Sequence, residues 1–551
     1  MLEGLVQNDF PLTIGYVLRR LRTVNGRSEI VTLTDDGKPR ASYAEMADRV
    51  DRLARALQGL GVQPEDRVGT FAWNTQRHME AYLAIPAMGA VLHTLNIRLA
   101  ADQVAWIANH ASDKVVLIDD SLVPLFEKVV PQLETVEHFI VMGDGDAGAI
   151  PNPIRYDELL AEQEPGFDYP EIDDRQAAAL CYTSGTTGDP KGVLYSHRSA
   201  VLHSMGSCLA DAMGVCSQDR ILPIVPMFHA NAWGLAYAAA LSGADLIMPN
   251  RFLQAEPLTK LIESERVTVS GAVPTIWMDI LRYADEHKPD LSSLRIVPCG
   301  GSAVPRSLMK ALEERHAVHI CQAWGMTETS PLASVAHPPR DAEGETHWDY
   351  RATAGKIIPL VECRITGDDG EELPWDGEAQ GELESRGPWV ASAYFRVDTP
   401  EKFHDGWLRT GDIASIDPDG YITIRDRSKD VIKSGGEWIS SVDLENELMS
   451  HPDVMEAAVI AKPDERWAER PLACVVPREG SDLSPDALVQ HLESRVARFW
   501  LPDEVAFIGE VPKTSTGKFN KKVLRQQLAD GELDDIRPVN KEHGKQPARA
   551  S

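Results

Sequence analysis

The chain has 551 residues, of which 43% are hydrophobic and 25% charged, with a formal net charge of −29. That length supplies several packed layers and more than one domain, while the charge disfavours nucleic acid and anionic membrane as partners, so an anionic ligand must find a local basic site. Seven scattered cysteines without a Cys-x-x-Cys pair argue against a disulfide framework or zinc and for a cytoplasmic compartment.

Residues 1–10 have no basic start before an apolar core, so no signal peptide is read. No run reaches the apolar length of a membrane span, so no stable membrane insertion is expected. A helix is predicted over 43–58, where Ser42 and Glu45 form a capping box and Met46, Val50, Leu53 and Leu57 recur at three- and four-residue spacing. Short β-type runs at 68–72, 115–118, 139–142, 222–225, 246–248, 267–269 and 296–297 alternate with helical patterns. This alternation predicts an α/β fold with layered, mostly parallel sheets flanked by helices.

The apolar run 177–181 leads into Tyr182-Thr183-Ser184-Gly185-Thr186-Thr187-Gly188-Asp189-Pro190-Lys191-Gly192, and Val193-Leu194-Tyr195 follows. Glycines let a backbone turn its N–H groups toward an anion, hydroxyls add donors, and Lys191 adds a mobile positive charge. The loop is therefore a candidate polyphosphate grip between two elements. It lacks the spacing Gly-x-x-x-x-Gly-Lys-Ser/Thr, as does Ser515-Thr516-Gly517-Lys518, which disfavours a P-loop NTPase.

Here the sequence resembles the adenylate-forming superfamily of acyl-CoA synthetases, aryl-CoA ligases, luciferases and peptide-synthetase adenylation domains. Four further motifs of that superfamily follow in order: Trp324-Gly325-Met326-Thr327-Glu328, Thr410-Gly411-Asp412, the segment from Asp426 to Glu437, and Pro512-Lys513-Thr514-Ser515-Thr516-Gly517-Lys518. Each alone is ordinary turn chemistry. Five in order form a strong signal.

The resemblance implies ATP, Mg2+ and CoA. A carboxylate is a poor electrophile, so thioester formation first needs a leaving group such as AMP. Its attack on the α-phosphate brings two anions together, and cations and donors must neutralise the charge that builds there. Loop 183–191, Mg2+ held by Thr183 and Glu328, and the adenylation lysine Lys518 would serve. Asp412 would accept ribose hydroxyls and Arg427 would donate to ribose or phosphate. Gly300, Gly301 and Ser302 would pass beneath the adenine and acyl carbonyl, and Gln322, Ala323 and Trp324 would flank the base together with Gly325, Met326 and Thr327. The superfamily usually has Tyr at the Trp324 position, so stacking carries over better than a phenol hydrogen bond. Asp189 is expected to face solvent.

A domain boundary is read near 428, where a Pro-Asp-Gly turn and a strand give way to a dense charged segment, Arg425 to Lys433. Beyond it, helix-like 444–449 and 488–496 and strand-like 456–461 and 472–476 form a small α+β unit. The expected organisation is thus an N-terminal AMP- and acyl-binding domain (1–428), a mobile C-terminal domain (429–540) and a frayed tail (541–551). By motif position Lys429 is the hinge, and Lys433, Gly435, Gly436, Glu437 and Trp438 form the face that admits pantetheine.

The stretch Val225 to Trp233 resembles bacterial medium- and long-chain fatty acyl-CoA synthetases, with His229 approaching the phosphates and Ala230 and Trp233 at an acyl tunnel that Trp233 gates. Small Gly234, Ala236, Ala238, Ala239 and Ala240 suit either a tunnel wall or a tightly packed helix. The expected activity is a fatty acid:CoA ligase that forms AMP, working as a homodimer. Ligases of short acids such as 3-methylmercaptopropionate share the subgroup, so chain length stays open. Loading of a carrier protein is disfavoured because no carrier domain follows residue 551. A catalytically silent acyl-adenylate-binding module is disfavoured by the joint presence of Lys518, Glu328 and Asp412.

Overall fold

The computed structural model describes residues 6–7, 9–183, 190–367, 369–434, 437–464, 466–514, 518–533 and 535–539, with backbone alone at 437 and 438. The expectations for Ser184, Gly185, Thr186, Thr187, Asp189, Gly435, Gly436, the Glu437 and Trp438 side chains, residues 515–517 and the tail 541–551 lie outside the described residues. Two compact units are present: residues up to 302, 308–363 and 385–409 form the first, and 303–307, 364–384 and the chain from 410 form the second.

The first unit holds a seven-stranded sheet in the order Ile154–Arg155, His138–Met142, Asp113–Asp119, Arg67–Phe71, Val91–Thr94, Ala177–Tyr182, Gly192–Ser196. Every pair is parallel except the last. Strands Asp113–Asp119 and His138–Met142 are buried along nearly their whole length, which a parallel sheet covered on both faces requires. One face packs Phe71, Ile107, Ile118, Phe126 and Val141 together. A five-stranded sheet runs Val269–Gly271, Arg220–Pro223, Asp245–Met248, Glu29–Thr32, Arg40–Ser42, antiparallel only at its last pair. A third set pairs Val297–Cys299 in parallel with Ile320–Gly325, which turns back into Leu332–Val335. The mostly parallel layers expected from the sequence are present.

The early helix forms over Tyr43–Gly59 with both reciprocal capping bonds of Ser42 and Glu45 and with Met46, Val50, Leu53 and Leu57 buried. Two predicted strands are displaced. The run 267–269 pairs as Val269–Gly271 because Val267 N is still spent on the preceding helix, donating to Ile262 O at 3.1 Å, while Thr268 only enters the sheet, its N donating to Arg220 O at 2.9 Å and its hydroxyl to Asp219 at 2.7 Å. The run 222–225 pairs as Arg220–Pro223 because buried Asn74 takes over beyond it: its amide donates to Pro223 O and Val225 O at 2.7 and 2.9 Å, and its carbonyl accepts from Met227 N at 2.7 Å. A buried polar side chain thus replaces a strand ladder as the partner of these backbone groups.

In the second unit residues 412–416, the end of strand Trp407–Ile416, pair antiparallel with Tyr421–Arg427, which sets Asp412 opposite Arg427. A separate sheet is built on the hairpin Val454–Asp464 and Ala468–Pro477, with Glu504–Phe507 parallel to the latter. Leu444, Leu448, Val459, Val475, Leu488 and Val505 pack on one side of it, and Ile460, Leu472, Val511 and Leu524 on the other. The helix expected at 488–496 is Pro485–Leu492, capped by Ser484.

Candidate active site

Strand Ala177–Tyr182 delivers Thr183, and Gly192–Ser196 carries the chain away from Lys191. The neck between them is closed twice: Thr183 N donates to Lys191 O at 2.9 Å, and Lys191 N donates to Thr183 Oγ1 at 3.2 Å. The Lys191 ammonium lies 5.0 Å from the centre of the Tyr394 ring, within cation–π range. The Tyr394 hydroxyl in turn donates to Glu328 Oε1 at 2.6 Å. Burial, and then the Glu328 charge, push the phenol above its ordinary range, so it remains a donor at neutral pH.

Glu328 sits in the short turn Thr327–Thr329 after strand Ile320–Gly325 and is only 6% exposed. Its own carbonyl accepts from Ala391 N at 2.7 Å, and the Thr327 carbonyl accepts from Tyr195 OH at 2.7 Å. The turn is thereby held from two other parts of the unit. Glu328 is a buried, oriented carboxylate rather than a solvated one.

Gly300 and Gly301 follow Val297–Cys299 and lead to Ser302. A Cβ at Gly300 would stand 2.4 Å from Ala323 O, so only glycine permits this approach, and Trp233 Cη2 lies 3.9 Å from the same point. Trp233 also borders Gly271, with Cε3 3.7 Å from where a Cβ would be. The base-flanking expectation for Gln322 needs one refinement: its amide nitrogen donates to Thr353 O at 2.6 Å and Ala352 O at 3.2 Å, so its donors serve the backbone. Trp324 is half-buried and paired across the sheet with Ser334.

The segment after half-buried His229 is unusual. Ala230, Asn231, Ala232 and Trp233 have φ of 42°, 53°, 53° and 56°, followed by Gly234 at 75°. Left-handed backbone costs an L residue about 1–2 kcal/mol, so four successive residues need outside fastening. Asn231, itself tolerant of this region, accepts from Cys181 Sγ at 3.1 Å and Tyr82 OH at 3.3 Å. A Cβ on Gly234 would meet the His203 ring at 2.4 Å. Burial lowers the His203 pKa to about 4, and its neutral Nε2 accepts from Leu332 N at 3.1 Å.

The sequence profile of AMP-binding enzymes matches residues 21–395, and that of the AMP-binding enzyme C-terminal domain matches 443–518. The chain belongs to the AMP-binding enzyme family, as an AMP-forming acyl-CoA ligase. It is 44% identical to 3-methylmercaptopropionyl-CoA ligase of Ruegeria lacuscaerulensis, covering 94% of this chain and 98% of that protein. It is 45% identical to long-chain-fatty-acid–CoA ligase of Thermus thermophilus, covering 96% and 98%. The crystal structure of the anthranilate CoA ligase AuaEII with anthranoyl-AMP superposes with a TM-score of 0.86 at 26% identity, covering 96% of this chain and all of that one. ATP is the adenylating substrate of this AMP-binding enzyme and CoA its co-substrate.

In the second unit of the ligase, Asp412 is buried and pairs with Arg427 Nε at 2.7 Å. Its backbone N donates to Thr410 Oγ1 at 3.1 Å, and that hydroxyl donates to Leu383 O at 2.7 Å. Lys429 and Lys433 are exposed, and Lys433 N donates to Glu469 Oε2 at 2.8 Å. Lys518 closes its loop as Lys191 does: Thr514 N donates to Lys518 O at 2.7 Å, and Lys518 N donates to Thr514 Oγ1 at 3.2 Å. The sequence reading assigned no role to Tyr394, Tyr195, Tyr82 or Asn231, although Tyr195 and Asn231 lie in segments it singled out. Each has its partner distant in sequence, and for Tyr394 no local motif marks it.

Proposed function

We propose that this ligase activates a medium- or long-chain fatty acid as acyl-AMP with release of pyrophosphate and then transfers the acyl group to CoA. The observation that carries the reading is the apolar wall at Trp233, which packs with Val225, Ala230 and Val273 beside the close approach of Gly300 to Ala323. Such a wall suits an alkyl chain. A second reading, a CoA ligase for 3-methylmercaptopropionate, is favoured by the Ruegeria relative at 44% identity.

In the adenylation step Lys191 and the hydroxyl-rich loop hold the polyphosphate, Lys518 offsets charge at the α-phosphate, and Asp412 and Arg427 hold the ribose. Mg2+ fits the chemistry of Thr183 and Glu328, two hard oxygen donors few enough to leave positions for water and phosphate oxygens. When bound it neutralises phosphate charge. His229 approaches the phosphates from the acyl side. Domain 429–540 then turns about Lys429 and presents the Lys433 face to the thiol, the whole acting as a cytoplasmic homodimer.

The test is mass spectrometry of products after incubation with Mg2+-ATP, CoA and an equimolar panel of acids from acetate to stearate plus 3-methylmercaptopropionate and cinnamate. An acyl-CoA peak at medium or long chain length is expected. A peak at 3-methylmercaptopropionate alone selects the second reading. Acyl-AMP without acyl-CoA would indicate a carrier-protein acceptor, and neither product would favour a silent module.

A further inference from the structure

We propose that Asn231 is a specificity-determining positioning residue: it pins the left-handed turn 230–233, fixes where Trp233 stands against Gly271 and Gly300, and through Cys181 ties that stand to the strand entering the phosphate loop. The inference rests on the ligase reading above, with the acyl chain at Trp233.

Of the four left-handed residues, Ala230, Ala232 and Trp233 resist that conformation and only Asn231 tolerates it readily. Asn231 is 4% exposed, and its Oδ1 gathers Cys181 Sγ at 3.1 Å and Tyr82 OH at 3.3 Å. Burial pushes the Cys181 thiol up to about 11, so it stays protonated and able to donate. Tyr82 serves both ends of the segment: its hydroxyl meets Met227 O before the turn, and its carbonyl accepts from Tyr237 OH at 3.0 Å after it. The turn is thus clamped at its start, middle and exit.

Cys181 stands two residues before Thr183 and contacts Thr94 Oγ1 at 3.3 Å. The strand that enters the phosphate loop, held in its sheet, therefore anchors the Asn231 turn through one side-chain contact. Without that acceptor the left-handed turn relaxes toward ordinary backbone, and Trp233 moves off the two glycines. The depth available to an acyl chain changes, while Thr183, Lys191 and Glu328 keep their own bonds.

The test compares kcat/KM for 3-methylmercaptopropionate, octanoate and palmitate in wild type, Asn231→Leu, Cys181→Ala and Cys181→Ser. Asn231→Leu is expected to change the ratio between the best and worst accepted acids by about 10-fold, chiefly through KM for the acid, with KM for ATP within about 2-fold; tenfold corresponds to about 1.4 kcal/mol. Cys181→Ala should move the ratio the same way by a smaller factor, and Cys181→Ser, which keeps a donor, should hold it near wild type. If Asn231→Leu does not fold, the Ala and Ser pair at Cys181 carries the test. An equal fall for every acid, or Cys181→Ala and Cys181→Ser behaving alike, overturns the inference alone. A wild type that converts none of the acids overturns the ligase substrate reading, and the inference with it.

Discussion

The hydroxyl of Tyr394 donates to Glu328 at 2.6 Å while the face of the same ring receives Lys191 at 5.0 Å. One aromatic side chain therefore joins the end of the glycine-rich loop to the buried carboxylate. Tyr394→Phe keeps the ring and removes the donor, leaving a 6% exposed carboxylate one partner short. Such a loss costs about 1–3 kcal/mol of stability, so the melting temperature should fall, and the adenylation rate measured by pyrophosphate exchange, which needs the carboxylate oriented, should fall roughly 10- to 100-fold. An unchanged exchange rate would remove Tyr394 from the site.

Lys518→Ala should abolish adenylation yet spare thioester formation from supplied acyl-AMP, because the charge we propose it offsets develops only at the α-phosphate. Equal loss of both half-reactions would refute that division. Lys429→Pro should hold the C-terminal domain in one orientation and lower overall turnover; full turnover would count against a hinge there.

Lys521 and Glu445, each with a side chain 9% exposed, pair at 2.6 Å. Lys521 also donates to Ser441 Oγ at 2.5 Å, and Ser441 donates to Asp426 Oδ2 from its hydroxyl and its backbone N at 2.6 and 2.7 Å. Burial raises the Glu445 carboxyl to about 7 despite that partner. Lys521→Met leaves a buried, unpaired carboxylate and should cost about 3–5 kcal/mol at pH 8. Since folding raises the Glu445 pKa above its unfolded value, stability falls as pH rises from the unfolded toward the folded pKa, and protonation restores it below that window. Denaturant unfolding should therefore show a smaller deficit at pH 5 than at pH 8. Equal deficits would exclude Glu445 as the cause.

Gly234→Ala should damage the turn from its exit, since the new methyl would overlap the His203 ring. A loss of about 1–3 kcal/mol is expected from overpacking, relieved in part by Gly234→Ala combined with His203→Ala. Absence of coupling in that double-mutant cycle would show that the two residues do not meet.

What the sequence determined by itself was local or ordered along the chain. The Ser42–Glu45 cap and the stripe Met46, Val50, Leu53, Leu57 are contacts three and four residues apart, and the helix follows them directly. The motifs from Thr183 to Lys518 likewise fix the family because their order survives in the linear chain. The strand edge at 222–225 was misread because Asn74, remote in sequence, takes the backbone groups beyond it, and that at 267–269 because Val267 still closes the preceding helix. Only the tertiary structure spends the amide of Gln322 on the carbonyls of Ala352 and Thr353, and only it brings Tyr394 to Glu328 across 66 residues and Cys181 to Asn231 across 50. A left-handed run of Ala, Asn, Ala and Trp has no local cause: its conformation is unfavourable in isolation and persists because buried side chains elsewhere in the fold hold it.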